Sequence, residues 1–383
     1  MSYEHLGERL RLAREMARLT QTEAAQALGL TSAGLSQYES GKRRVDALTL
    51  ERLSRLYGVP LRYFFGEEVP QAEWEEALRL ASAQMGPESK AGIAHLIEKL
   101  HLLEDLYTRT ETPLPGRLHP PFAFLPEASF SDEEVAELAE KARWHFGLGL
   151  APLSDLRSLL EALGCKVFAV PLGQNHGQLS GLSFLHPGIG PIVVFNEDQA
   201  YSRRTFTMAH ELAHRLYHYD RPVVLCRAME TRPMEAFADR FAAHFLIPRE
   251  ALHDRLRDQG TRTVGRPEEV IHLARYFGVS YQAMLRRLRE EHRLAGPGQI
   301  FEDVRPIALA RALGYPALPY EFGVRPLPPE ERLPRVFLEL AHRAMDAGQL
   351  SPRRVAEMLG ISDLDLQERL STDVEEERDE SYA

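Results

Sequence analysis

Within TFTMAHELAHRLYH, residues 205–218, two histidines stand four apart and a glutamate follows the first: His210, Glu211 and His214. One turn of helix separates 210 from 214, so both imidazoles can reach a single cation from one face. Glu211 falls about 100° further round the barrel, off the metal yet close enough to hold a bound water. Zinc lowers the pKa of such a water to about 7, and a carboxylate takes its proton as it attacks a carbonyl. The chemistry is metal-assisted hydrolysis, with Glu211 as the catalytic acid/base. A bare pattern of this length also arises by chance, and histidines satisfied by core hydrogen bonds are the alternative. A third donor is what distinguishes the two.

That donor is sought downstream, in METRPMEAFADRFAAHFLIP at 229–248. Phe237, Phe241, Phe245 and Leu246 recur at helical spacing, and Glu235 and Asp239 sit four apart on one face of the same helix. Glu235 is expected to bind the metal while Asp239 accepts a hydrogen bond from a ligating imidazole; a solvated face is the other reading of Asp239. Glu230, at the helix entrance, is the reserve ligand. Tyr217, His218, Arg240 and His244 lie near in sequence and are read as structural, His218 suiting a helix C-terminus. The set expected is zinc on His210, His214 and Glu235, although such a site with open positions also accepts manganese or iron.

The elements that must hold these residues form a mixed series. Ser131 with Glu134 makes a capping box that opens helix 132–146, and a second helix spans 153–163. Strands follow in CKVFAVPL, LSGLSFL and GPIVVFN, then the HELAH helix at 201–218; helices dominate from 230 to 292. LSGLSFL is expected at the sheet edge, where an extended substrate backbone can pair with it, and GPIVVFN in the interior.

The N-terminus reads differently. Leu6, Leu10 and Ala13 mark one apolar face, Gln21 to Leu28 a second helix, Gly29 a tight turn and Thr31 the cap of a third helix. Helix, glycine turn, helix is the arrangement that lays its later helix in the major groove. Ser32, Ala33, Ser36 and Gln37 are placed to approach base edges, Gln21, Lys42, Arg43 and Arg44 to meet phosphates, and the capping Thr31 is counted with the DNA-binding residues. Residues 1–66 hold ten Lys/Arg against seven Asp/Glu, a net +3 inside a chain of net −10, so the basic module stands apart from the rest. Gly34 inside the reading helix lowers its intrinsic stability by up to about 1 kcal/mol.

At 383 residues the chain has room for two or three domains. Its two cysteines are too few for a disulfide scaffold or a cysteine-based metal knuckle, which fits a reducing compartment. Without a signal-like start or a long apolar run, the expectation is a cytoplasmic protein that does not enter a membrane. Residues 1–68 are read as the DNA-binding domain, 69–130 as a helical and Pro-rich linker, 131–298 as the catalytic domain, and 299–383 as a helical region with an acidic tail. Ile93, Leu96, Leu100, Leu103 and Tyr107 alternate at three and four, as a dimerising helix or one packed on its own chain would. The helix-turn-helix pattern near 336–370 is acidic on its reading face (Asp363, Asp365, Glu368), which favours packing or dimerisation over a second DNA contact.

Residues 5–65, through TQTEAAQALGLTSAGLSQYESGKRR, resemble the XRE (Cro/repressor-type) helix-turn-helix family. Residues 132–292 resemble the ImmA/IrrE family of gluzincin-like metallopeptidases, through RRTFTMAHELAHRLYH, GPIVVFN, EAFADRFAAHFLIP and ARYFGVSYQAMLRRL. The family usually has Asn where Asp239 stands and Gly where Ala213 stands. The resemblances imply a multidomain fold: an all-α helix-turn-helix domain, an α+β gluzincin-like metallopeptidase domain, then a small helical C-terminal segment. They also imply partners: a double-stranded DNA operator, a protein substrate that is a repressor of the same class or the chain itself, and a homodimer on paired half-sites. A DNA-binding sensor that holds a metal or ligand without hydrolysis is the competing function.

Overall fold

The computed structural model describes residues 3–16, 19–57, 64, 73–82, 85–114, 130–153, 155–173, 179–218, 223–227, 233–316 and 327–368. Most of the proline-rich stretch, the reserve ligand Glu230 and the acidic tail lie outside the described residues.

The N-terminal helices are α1 (Tyr3–Met16), α2 (Gln21–Leu28), α3 (Ser32–Glu39) and α4 (Ala47–Tyr57). Leu10, Ala13, Leu28, Leu35, Leu53 and Phe64 bury a core of their own. Thr20 and Glu23 close a capping box at the start of α2, and Gly29, in the left-handed region at φ 67°, ends it. Arg14 and Glu39 form a buried bidentate pair, with Nε–Oε1 at 2.6 Å and Nη2–Oε2 at 3.0 Å. At Gly7 a Cβ would sit 2.6 Å from the Glu39 carbonyl oxygen, so only glycine lets α1 approach the end of α3 this closely.

Two helices, α5 (Glu73–Ser82) and α6 (Pro87–Arg109), precede α7 (Asp132–His145) and α8 (Leu156–Ala162). The Ser131–Glu134 capping box is present. Next come β1 (Lys166–Val170), β2 (Leu179–His186), β3 (Gly190–Asn196), α9 (Tyr201–Tyr217), β4 (Val223–Arg227) and α10 (Pro233–Leu246). Helices α11 (Arg249–Asp258), α12 (Pro267–Phe277) and α13 (Tyr281–Glu290) follow, and α14 (Arg335–Asp346) and α15 (Pro352–Leu359) come last among the longer helices.

The sheet runs β1-β3-β2-β4, with β1 parallel to β3 and the other two pairings antiparallel. Its two faces are covered by different helices. Val167, Ala169, Val193 and Phe195 pack with α7 to α10, whereas Phe168, Leu182, Phe184, Ile192 and Val194 pack with α5, α6, α14 and α15. The alternation is the period-two rule of a strand buried on both sides. Asn196, buried at the end of β3, accepts from the Leu172 N–H and donates to the Gly173 and Leu179 carbonyls, tying the strand ends together.

Two expectations need correction or resolution. LSGLSFL is an interior strand: β4 pairs with it from Leu179↔Arg227 to Phe184↔Val223 and takes the edge. VVLCR opens on four apolar residues in a row without alternation, and the strand it forms is not among those expected from the sequence. The apolar seam of α6 is spent within the chain, because Ile93, Leu96, Leu100, Leu103 and Tyr107 are all buried in the second core. The packing alternative holds for this helix, and α14 and α15 likewise pack on α6 and the sheet.

His186 makes the β2–β3 turn pH-sensitive. Its buried Nδ1 accepts from the Gly188 and Ile189 N–H groups at 3.2 and 3.0 Å. Burial pushes its pKa down to about 4, below the ordinary 6.5 that the unfolded chain keeps. The folded state therefore refuses a proton that the unfolded state binds. This stability is fully present above about pH 6.5 and is lost as pH falls toward 4. Between pH 7 and pH 5, wild type is expected to lose about 2 kcal/mol more than His186→Asn. Urea unfolding at both pH values measures it, and equal losses would show that this imidazole does not drive the effect.

Candidate metal centre and nucleic-acid interface

The HELAH helix is α9, pressed between the sheet and α10 by Ala209, Leu212, Ala213 and Leu216, all buried. Its apolar face sets the rotation that turns 210, 211 and 214 toward α10 and β2. On α10, Phe237, Phe241 and Phe245 are buried, Phe237 and Phe241 against Tyr217 of α9, and Glu235 and Asp239 both reach His210.

Three donor atoms converge there. His210 Nε2 and His214 Nε2 are 3.1 Å apart. Glu235 Oε2 is 3.2 Å from His210 Nε2, and Glu235 Oε1 is 3.8 Å from His214 Nε2. Tetrahedral zinc with bonds of about 2.0–2.1 Å sets neighbouring donors about 3.3 Å apart, so the spacing fits such an ion. The Asp239 carboxylate lies 2.8 Å from His210 Nδ1, and His218 Nδ1 lies 3.0 Å from His214 Nδ1. Each imidazole is thus held from behind by its second nitrogen. Burial alone would lower the pKa of His210, but hydrogen bonds to Asp239 and Glu235 outweigh it and lift it to about 10. The negative charge that favours a proton there equally favours a cation.

Glu211 is fully buried, and neither carboxylate oxygen has a hydrogen-bond partner among the described residues. Burial lifts its pKa to about 7; the charge of His210 opposes this, as do Cys226 and Ser183, which approach without reaching hydrogen-bond geometry. A carboxylate left bare inside a protein is costly and is explained by a group it is meant to serve. Space for it depends on Gly181 of β2. A Cβ at 181 would stand 2.8 Å from Glu211 Oε1 and 2.7 Å from the Val194 carbonyl oxygen. Because Val194 is backbone and cannot yield, Gly181→Ala is expected to cost about 1–3 kcal/mol in urea unfolding. An unchanged midpoint would mean that the sheet has slack there.

Sequence reasoning missed two of these neighbours and read a third, His218, only as a structural helix terminus. His218 extends the spacing of 210 and 214 by one more turn and was legible as such. Gly181 carried no signal beyond being a glycine in a strand. Cys226, on the unanticipated β4, completes a group with His210, His214 and Glu235 whose donor atoms all lie within 4.8 Å of one another. The residues read as structural have structural partners. Tyr217 donates to the Leu138 carbonyl and Arg240 to that of Phe130, while His244 lies 3.1 Å from Asp132 and 3.0 Å from Arg287.

In the helix-turn-helix module, Thr31, Ala33 and Gln37 are exposed and Ser32 and Ser36 half-buried along α3. Thr31 caps the helix by accepting from the Gly34 N–H. A Cβ on Gly34 would lie 3.1 Å from that hydroxyl oxygen, so the glycine leaves the cap uncrowded. Lys42, Arg43 and Arg44 are exposed just beyond α3, with Arg43 over the Tyr38 ring and Arg44 over the Tyr3 ring. Gln21 differs from its neighbours: its side-chain amide donates to Glu39 at 2.8 Å, inward.

A four-stranded sheet with paired helices bearing two histidines and a carboxylate, behind a basic module whose described residues form four helices, defines a helix-turn-helix protein with a metallopeptidase-like domain. Comparison bears this out: residues 160–289 match the family described as the IrrE N-terminal-like domain, and residues 10–64 match the helix-turn-helix family. The chain therefore joins an XRE-type helix-turn-helix domain to a domain of the ImmA/IrrE metallopeptidase family. ImmR of Bacillus subtilis, an HTH-type transcriptional regulator, is 44% identical over 63 residues, 16% of this chain and 50% of that one. An uncharacterised HTH-type regulator of Sinorhizobium medicae is 38% identical over 66 residues, 17% of this chain and 47% of that one. The chain spans about half the length of the curated relatives it matches. The crystal structure of ComR from Streptococcus suis aligns over 94% of both chains at 11% identity, with a TM-score of 0.16. No helix among the described residues is long and apolar enough to cross a membrane.

Proposed function

We propose that this protein is a DNA-binding transcription regulator whose second domain is a zinc-dependent endopeptidase, acting on itself or on a repressor of its own helix-turn-helix class in a stress or phage-type response. The domains would be 1–68, 69–130, 131–298 and 299–383. The observation that carries the reading is the convergence of His210, His214 and Glu235 beside the bare carboxylate of Glu211. Zinc bound there would supply Lewis acidity and an activated water. The chain's own part is to hold two neutral imidazoles by Asp239 and His218, to exclude bulk water, and to take a proton on Glu211. A carboxyl pKa near neutrality suits a group that must accept and then return a proton. Manganese or iron would satisfy the same donors less selectively.

The test is to purify the protein, quantify its metal, and incubate it alone and with repressors of the XRE class. Fragments that vanish with a chelator and with the Glu211→Gln variant support hydrolysis. A metal-loaded protein that leaves every such repressor and itself intact refutes it. The burial of all four residues favours the second reading, a sensor that binds a metal or ligand without hydrolysis; regulation unaffected by Glu211→Gln would establish that reading instead.

DNA binding is proposed through the exposed face of α3 and the Lys42–Arg44 segment, with Gln21 contributing through its helix N-terminus. Double substitution of Lys42 and Arg44 by Ala is expected to lower the salt slope of binding to random duplex by about 2. Fluorescence anisotropy across a salt series measures it, and an unchanged slope would remove both residues from the interface. A homodimer on paired half-sites would need a surface other than α6.

A further inference from the structure

The centre is closed. Of His210, Glu211, His214 and Glu235 the most exposed is His210, at 7%. A catalytic zinc keeps one position open for water or substrate, whereas a structural zinc has all four filled by protein. Here a fourth donor is at hand: Cys226 Sγ lies within 4.8 Å of the ligand atoms of His210, His214 and Glu235. It is buried, at 1% exposure, and not disulfide-bonded. Zinc with a bond of about 2.3 Å to sulfur and 2.0–2.1 Å to nitrogen holds the two about 3.6 Å apart, so the four donors need only contract around the ion.

The strand that carries Cys226 sharpens the point. β4 pairs antiparallel with β2, and Cys226 stands in register with Gly181, the residue whose missing side chain makes room for Glu211. A segment of the chain thus occupies the strand edge along which an extended peptide would add by main-chain hydrogen bonds, and it brings a sulfur to the cation as it does so. The independent sign that a ligand belongs here is Glu211, fully buried with both oxygens unpartnered among the described residues.

We propose that Cys226 is the fourth protein ligand of this centre and that β4 is a latch. With the latch in place the site is a closed His₂GluCys centre and the peptidase is latent; with β4 withdrawn from β2, the sulfur leaves, and both the fourth position and the strand edge become available. On binding, the thiol gives its proton to solvent and its sulfur lone pair to the cation. The thiolate and the Glu235 carboxylate then together neutralise a dication in a dry site. The inference rests on the metallopeptidase reading above.

The test uses the full chain loaded with Zn²⁺, or with Co²⁺ as an optical probe. X-ray absorption of the zinc protein is expected to show one sulfur neighbour at about 2.3 Å, and the cobalt protein a thiolate-to-metal charge-transfer band. Both signatures should disappear in Cys226→Ser and survive in Cys165→Ser, and Cys226→Ser should hold zinc more weakly by more than the roughly 10–100-fold that a residue behind a ligand is worth. Zinc bound by wild type with nitrogen and oxygen neighbours alone would overturn the latch and leave the metallopeptidase reading standing. A wild-type protein that binds no metal would overturn that reading, and the latch with it. The wild-type spectra decide the matter even if the serine variant fails to fold.

Discussion

Glu211→Gln is expected to keep its metal and lose about 10²- to 10⁴-fold in cleavage rate, the usual worth of a positioned general base. The amide matches the carboxylate in volume, so the pocket beside Gly181 is neither emptied nor overfilled. It cannot accept a proton, and it is not one of the converging donors. Because burial already opposes the charged form of Glu211 at neutral pH, the variant should melt no lower than wild type. Loss of activity without loss of stability or metal is the signature of a residue kept for chemistry. Metal analysis, thermal unfolding and a cleavage assay on the same preparation read all three, and cleavage persisting at the wild-type rate would end the assignment.

Glu235→Ala should act on binding instead. It deletes the carboxylate that faces both imidazoles, at 3.2 Å from His210 and 3.8 Å from His214, and with it the charge that offsets a dication in a buried site. Supporting residues behind a ligand are worth about 10–100-fold in affinity. Asp239→Ala is expected within that range, and Glu235→Ala beyond it, by more than about 100-fold. Competition against a chelator of known affinity measures both. If the two variants bind equally well, Glu235 supports the centre without binding the metal, and the donor set needs revision.

Much of this arrangement was legible before any coordinates. A four-residue spacing on a helix fixes two side chains on one face, and the apolar period of 233–246 turns Glu235 and Asp239 the same way, so each half of the site could be read locally. The packing of α9 against α10 was inferred from the chemistry and from family resemblance. The sheet edge was harder. VVLCR opens on four apolar residues in a row and shows no alternation, and the pairing that moves LSGLSFL into the interior joins residues 39 to 48 apart. Cys226 was invisible for the same reason: nothing in VVLCR says which side of the sheet its sulfur meets. The seam of α6 was visible as a pattern, but its partner was not, because apolar spacing is the same for a helix of another chain and a sheet of its own.

That partner sits far along the chain. Lys99 of α6 donates to the carbonyl of Met358, 259 residues away, and α14 and α15 complete the cover over the same face of the sheet. During synthesis α6 emerges about 225 residues ahead of α14, a delay of roughly 10–45 seconds at ribosomal speed. Through that interval the apolar flank of the nascent sheet has no permanent cover, and the chain must be sheltered by chaperones or by provisional collapse. The last forty or so described residues are therefore the closing step of assembly, and a messenger truncated before them would yield a protein with its helix-turn-helix module formed and one face of its sheet uncovered.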